Sequence, residues 1–163
     1  MKKTIISMVL AAMLIAGCAT QQQKEQRKEQ REMMRKAVAE AVATRRVHIG
    51  VTTMNTMRYG SRTVTPDFFL ELRGDTMQSY LPYLGQAYQA PMVTPSQGLN
   101  FEAPVVNYRL STKGNASQLE MDVKTKEDSY HYRIEIHDTG QAYIHVRPLQ
   151  RDPVSFNGYL EKE

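Results

Sequence analysis

"YHYRIEIHDTGQAYIHV", residues 130–146, reads as two strands and the turn that joins them. Tyr130, Tyr132, Ile134 and Ile136 alternate with His131, Arg133, Glu135 and His137, and Ala142, Ile144 and Val146 alternate with Tyr143 and His145. A period of two sends successive side chains to opposite faces, so each segment is a strand with one apolar face. A three-residue loop over 138–140, with Gly140 left-handed, sets His137 opposite Gln141, Ile134 opposite Ile144 and Tyr132 opposite Val146. A two-residue loop would set Ile134 against His145 and mix the faces. One hairpin back, a two-residue loop at Lys126-Glu127 sets Met121 beside Tyr132 and Leu119 beside Ile134. The outer face then carries the rows Glu120, Arg133, His145 and Asp122, His131, Arg147. Opposite charges lie side by side in both, at roughly 0.2–1 kcal/mol per pair.

The same alternation recurs on either side of this hairpin. Val47, Ile49 and Val51 alternate in "VHIGVTTM"; Phe68, Leu70 and Leu72 in "FFLEL"; Leu119, Met121 and Val123 in "QLEMDV"; Val154, Phe156 and Leu160 in "VSFNGYL". Glycine-bearing turns separate the strands, among them Gly74-Asp75, where "RGD" needs only turn chemistry to explain it. Many short alternating strands predict an antiparallel sheet over residues 46–163, closed into a small barrel or folded as a sandwich. Phe68, Met121, Tyr132 and Phe156 are large enough to leave little room inside.

Toward the N-terminus the period changes to 3.6. Met33, Met34, Ala37, Val38, Ala41 and Val42 form one stripe of an amphipathic helix over 33–45. Residues 18–32, "CATQQQKEQRKEQRE", carry no large apolar side chain and read as a charged spacer. Residues 1–17 read as a lipoprotein signal peptide. Lys2 and Lys3 precede an apolar run from Ile5 to Ala16, about 18 Å as helix, which is too short to span a ~30 Å bilayer core. "LIAGC" resembles a lipobox, which implies cleavage before Cys18 and a lipid on its sulfur, with the membrane as the first partner. Cleavage leaves 146 residues and a net charge of +2, against +4 for the whole chain. That balance carries no nucleic-acid reading. Cys18 is the only cysteine, so an acylated chain has no thiol for a disulfide or a soft metal.

No nucleophile elbow, phosphate loop or paired carboxylate motif is present, so the chain is read as non-enzymatic and without a cofactor. His131 and His137 are six strand positions apart, about 20 Å, and face outward among charge partners, which argues against a metal site. The remaining signal is aromatic. Residues 82–104 contain Pro82, Pro91, Pro95 and Pro104 and read as a long connection that cannot be a central strand. Around it, Tyr80, Tyr83, Leu84, Tyr88 and Phe101 either plug one end of the domain or rim an opening for a ligand.

"ELRGDTMQSYLPYLGQAY", "GLNFEAP" and the closing "VSFNGYL" resemble domain-of-unknown-function family 4251, lipoproteins and secreted proteins of Bacteroidetes. The resemblance covers the chain from about Ala37 onward. It implies an antiparallel meander closing into a small lipocalin-like β-barrel behind a helical N-terminus, and brings no activity or catalytic residues. "CATQQQK" lacks the acidic run that such bacteria use for surface export, which favours the periplasmic face of the outer membrane. Two functions are expected: a module binding an amphipathic small molecule or peptide, or an adaptor holding an envelope protein through the same aromatic surface or the 33–42 stripe.

Overall fold

The structure, a computed structural model, describes residues 2–88 and 98–161, with residues 2–20 as backbone alone. Two compact units meet at residues 34 and 35. Helix α1 (Lys2–Thr44) makes up the first and runs on into the second. Among the described residues no helix is long and apolar enough to cross a membrane. Of the predicted stripe, Val38 and Val42 are buried while Met33 is exposed. The helix ends where Arg45 turns left-handed at φ 53°. Its carbonyl accepts from the Gly74 N–H at 2.8 Å, its guanidinium pairs with Asp75, and it lies 4.2 Å over the Tyr108 ring. The end of the helix is thereby tied to the turn at Gly74-Asp75 and to the strand that carries Tyr108.

Nine strands follow: β1 (Arg46–Thr56), β2 (Gly60–Thr63), β3 (Phe69–Arg73), β4 (Thr76–Pro82), β5 (Gly98–Lys113), β6 (Ala116–Lys124), β7 (Ser129–His137), β8 (Gln141–Pro148) and β9 (Val154–Leu160). All pair antiparallel in one sheet of order β2-β1-β3-β4-β5-β6-β7-β8-β9, and β1 also pairs with β9, which closes an eight-stranded barrel of β1 and β3–β9. Closure leaves β2, exposed along its length, as a flap against the end of β1. Bulges after Val51 and after Val106, the latter with Asn107 at φ 54°, bend long strands around the ring.

The register read from the turns is the one observed. Leu119 faces Ile134, Met121 faces Tyr132, Ile134 faces Ile144 and Tyr132 faces Val146. Gly140 is left-handed at φ 84°, and its N–H bonds the His137 carbonyl at 2.8 Å. The outer rows form as expected, with Arg133 Nε 2.8 Å from Glu120 and His131 Nδ1 2.7 Å from Asp122.

Side chains fill the barrel. Tyr132, Phe156, Met121, Ile49, Leu70, Leu72, Met77, Leu81, Leu99, Leu119, Ile134 and Ile136 have at most 1 % of their surface exposed. Phe68 is the exception to the expected lining: it precedes β3, is half-buried, and stacks on Tyr80 at 5.4 Å. One expectation needs a larger correction. Residues 98–104 are not connection but the first part of β5, paired with β4 from Thr76↔Pro104 to Pro82↔Gly98. Pro104 is tolerated because its ring nitrogen does not face β4. Val105 donates its N–H to the Asp75 carbonyl of the β3–β4 turn at 2.8 Å, and neighbouring residues of a strand point their backbone groups to opposite sides.

Candidate functional site

The aromatic residues singled out in the sequence occupy three places. Tyr80 lies on β4 facing away from the barrel interior, 41 % exposed and packed against Phe68 and Phe69. The register lines up Phe69, Tyr80 and Asn100 across β3, β4 and β5, with Glu71, Gln78 and Glu102 in the next row. Asp67, Phe69, Gln78, Tyr80, Asn100 and Glu102 border a shallow hollow of about 380 Å³ there.

Tyr83, Leu84 and Tyr88 belong to the segment after β4, which is fastened to the β8–β9 loop. Tyr83 donates its hydroxyl to the Asp152 carbonyl at 3.1 Å, and Tyr88 donates to Asp152 Oδ1 at 2.6 Å. The Gln86 N–H and Arg58 Nε both reach Asp152 Oδ2 at 3.1 Å. Main-chain bonds complete the seam, Tyr88 N–H to Gln150 and Asp152 N–H to Gln86. These donors, the Tyr88 hydroxyl first, hold the Asp152 carboxyl below its usual range. The Tyr83 hydroxyl is pushed up to about 12, by burial first and then by the Asp152 carboxylate. Leu84 is half-buried in the same segment. Tyr83 and Tyr88 therefore spend their polar tips within the fold, while Tyr88 stays 61 % exposed. The remainder of this connection, residues 89–97, lies outside the described residues.

A second buried carboxylate organises the neighbouring turn. Asp128, with no side-chain surface exposed, accepts N–H groups from Ser129 at 2.8 Å and from Leu149 and Gln150 at 3.1 Å, and faces Arg151 Nε at 3.7 Å. Arg151 also holds Glu127 at 3.2 Å. This carboxylate pins the β6–β7 turn to the β8–β9 loop, and so fixes where β6 stops.

Phe101 sits in the third place. It is half-buried, stacked on Tyr130 at 4.9 Å and edge-on to Tyr132 at 6.4 Å. The β5–β6 ladder begins at Val105↔Val123 and does not extend toward Gly98. Between residues 100–104 of β5 and the turn at 124–127 the wall parts into a cleft of about 520 Å³, with Phe101 and Tyr130 at its base. Glu102, Lys124, Lys126 and Glu127 stand at its sides. The cleft combines an aromatic floor with charged rims, the usual make-up of a site for an amphipathic ligand.

No three of the described His, Cys, Asp and Glu side chains are placed to hold a metal ion. His131 is committed to Asp122, whose carboxyl is held low by the Asn107 amide first and His131 second. His145 is pushed down by burial and by its neighbours Arg147 and Arg133. Residues that the sequence did not single out for the site are Tyr130, read only as a sheet position, and Asp128, Arg151 and Asp152, polar loop residues with no periodic signal. Pro104 was the one available clue to where the wall opens.

A family model described as a domain of unknown function, DUF4251, matches residues 28–160. The chain belongs to the DUF4251 family. No curated protein matches it. Among solved structures, the crystal structure of a DUF4251 protein from Bacteroides eggerthii DSM 20697 superposes with a TM-score of 0.60, covering 78 % of this chain and 87 % of that one at 12 % identity. At that identity the likeness speaks for the fold, a DUF4251 barrel behind a helix. Within this DUF4251 domain, the family-like "SYLPYLGQAY" is the segment fastened by Asp152, and the closing "VSFNGYL" is β9, the strand that shuts the ring.

Proposed function

We propose that this protein is a lipid-anchored, non-enzymatic binding module of the cell envelope, held on the periplasmic side of the outer membrane and taking an amphipathic small molecule or peptide in the cleft beside β5. One observation carries the reading: large, fully buried side chains such as Tyr132 and Phe156 occupy the barrel interior, while its wall opens at Phe101 and Tyr130. A lipocalin-style ligand inside the barrel would have to displace Tyr132 and Phe156. A ligand at the cleft covers aromatic surface that is already in place. Anchoring rests on the apolar run, the "LIAGC" ending and Cys18. A single lipid chain binds a membrane reversibly, whereas more than one makes the attachment stable. The adaptor alternative survives in a narrower form. Val38 and Val42 are already buried, so an envelope partner would reach the cleft rather than the helix stripe.

Native mass spectrometry of the full chain, purified in mild detergent from its own envelope, tests both parts. A reproducible added mass that is lost on Phe101→Ala, with the circular dichroism spectrum unchanged, is the expected result. A clean mass in every preparation overturns the carrier reading. Cys18→Ser should move the protein from the membrane to the soluble fraction; retention at the membrane overturns the anchor.

A further inference from the structure

We propose that the ligand of this cleft is an extended peptide segment that adds as a strand to the open edge of β5, which rests on the binding reading above and specifies its ligand and mode. Strand parity supplies the first argument. The Val105 N–H goes to Asp75, on the β4 side, and Leu99, Phe101 and Ala103 share its parity. Asn100, Glu102 and Pro104 therefore direct their backbone groups the other way, toward β6.

The position of Pro104 explains why that side is open. Val106↔Asp122 is the last pair to exchange bonds in both directions, and the next would be Pro104 with Lys124. Proline has no N–H to give, so the ladder ends there and the lane continues without a strand. Beyond it, the chain of β6 turns away at Thr125, where the Thr125 N–H bonds the Asp128 carbonyl at 2.9 Å. Among the described residues no strand pairs with Asn100 or Glu102 on this side, so four backbone groups, two N–H and two C=O, line one wall of the cleft. A strand edge of this kind is a template for a further strand.

Chemistry of the lane sets the occupant. From Asn100 to Pro104 the wall runs about 13 Å at 3.3 Å per residue, room for four or five extended residues. Inward-facing side chains of a guest would land on the Phe101–Tyr130 stack, so alternate residues should be apolar. Across the lane, Glu127 is held by Arg151, while Lys124 and Lys126 have no ion pair among the described residues. An acidic residue on the guest complements them. Running antiparallel to β5, the guest takes the lane that β6 leaves, and exchanges bonds with Asn100 and Glu102.

Backbone amide exchange on the full chain in detergent, read residue by residue by NMR, tests the edge first. Phe101 and Ala103 should be protected and Asn100 and Glu102 should exchange at least tenfold faster; equal protection overturns the proposal. The second step adds a library of acetylated seven-residue peptides alternating Val, Leu, Phe or Tyr with Asp, Glu, Ser or Thr. Bound members should slow Asn100 and Glu102 at least tenfold and leave Phe101 and Ala103 unchanged. Glu102→Ala keeps the backbone N–H and measures the loss of the side chain alone. Glu102→Pro removes an N–H that β4 does not use and should weaken binding at least tenfold, as should N-methylation of the peptide on the edge that meets β5. Peptides that bind equally well when N-methylated overturn strand addition yet leave a side-chain-mediated cleft intact. No bound member, beside an added small-molecule mass in the native preparation, overturns the peptide and keeps the binding module.

Discussion

Gly158→Ala should be the most damaging single-methyl change in the barrel. Gly158 lies in β9 opposite Val51 at the bulge of β1. A Cβ built there would sit 2.2 Å from the Gly50 carbonyl oxygen and 3.2 Å from Ile49 Cγ2. Contacts under 3.0 Å are not tolerated, so the Gly50 main chain would have to retreat by about 1 Å, and no rotamer offers relief. Gly50 cannot retreat alone, because it is paired with Phe69 on one side and Tyr159 on the other. Overpacking costs ~1–3 kcal/mol where side chains can shift, and a clash with paired backbone belongs at the upper end, about 3 kcal/mol. For a domain of this size that is a fall in Tm of about 10 °C. Gly74→Ala is the comparison. Gly74 is left-handed at φ 60° with nothing within 4 Å, so alanine there meets only the left-handed cost of about 1–2 kcal/mol. Melting followed by circular dichroism, with urea midpoints as a check, should rank Gly158→Ala well below Gly74→Ala. A Gly158→Ala protein melting within about 2 °C of the parent would refute the idea that bare backbone contact spaces β1 and β9.

Asp128→Ala leaves three N–H donors without their acceptor and Arg151 facing no carboxylate on that side, and should cost about 3 kcal/mol in urea titration. The Tyr83 hydroxyl stays protonated up to about 12 in the folded state, above its ordinary value near 10. Stability linked to it is therefore complete below about pH 10 and lost as pH rises toward 12, so Tyr83→Phe should flatten the alkaline fall of Tm over that interval. Asp152 runs the other way: its carboxyl is held low, so its contribution is present above about pH 4 and lost as pH falls further. Limited proteolysis should cut after β4 faster in Tyr88→Phe than in the parent, and unchanged rates would remove the fastening role of Asp152. Glu120→Gln, on the outer charge row, should shift stability by less than about 1 kcal/mol.

The sheet was legible where two independent signals agreed. In β6, β7 and β8 the alternation and the turn residues point to one register, because a slip of one would expose Ile134 and Ile144 together. β5 had no such agreement. Its N-terminal half hides behind Pro104, and its C-terminal half, with Val106 and Leu110 exposed, lacks a buried face to keep the period clean. β2 is polar and short, and among the described residues it pairs with β1 alone. Within the site, Phe101 was found because aromatic residues in a proline-rich stretch are conspicuous. Its partner Tyr130 was hidden by the regularity of its own strand. Asp128 and Asp152 act through bonds to main chain distant in sequence, and a single sequence carries no mark of such contacts.

The pairing of β1 with β9 governs how the molecule comes into being. Ile49 meets Leu160, so the ring closes over more than a hundred intervening residues, an entropy cost of roughly 4 kcal/mol before any contact of that seam repays it. Every other neighbouring pair in the ring lies close in sequence, the fifteen residues between β4 and β5 being the widest interval, and this seam alone needs the two ends of the barrel brought together. Closure is therefore expected to come late, and to set a folding time in the slow range of β-proteins. Until that seam forms, the chain presents an open, curling sheet with two bare edges, β1 and β9. A nascent chain at that stage is the form in which this protein is vulnerable to aggregation, and the form that a chaperone would have to shield.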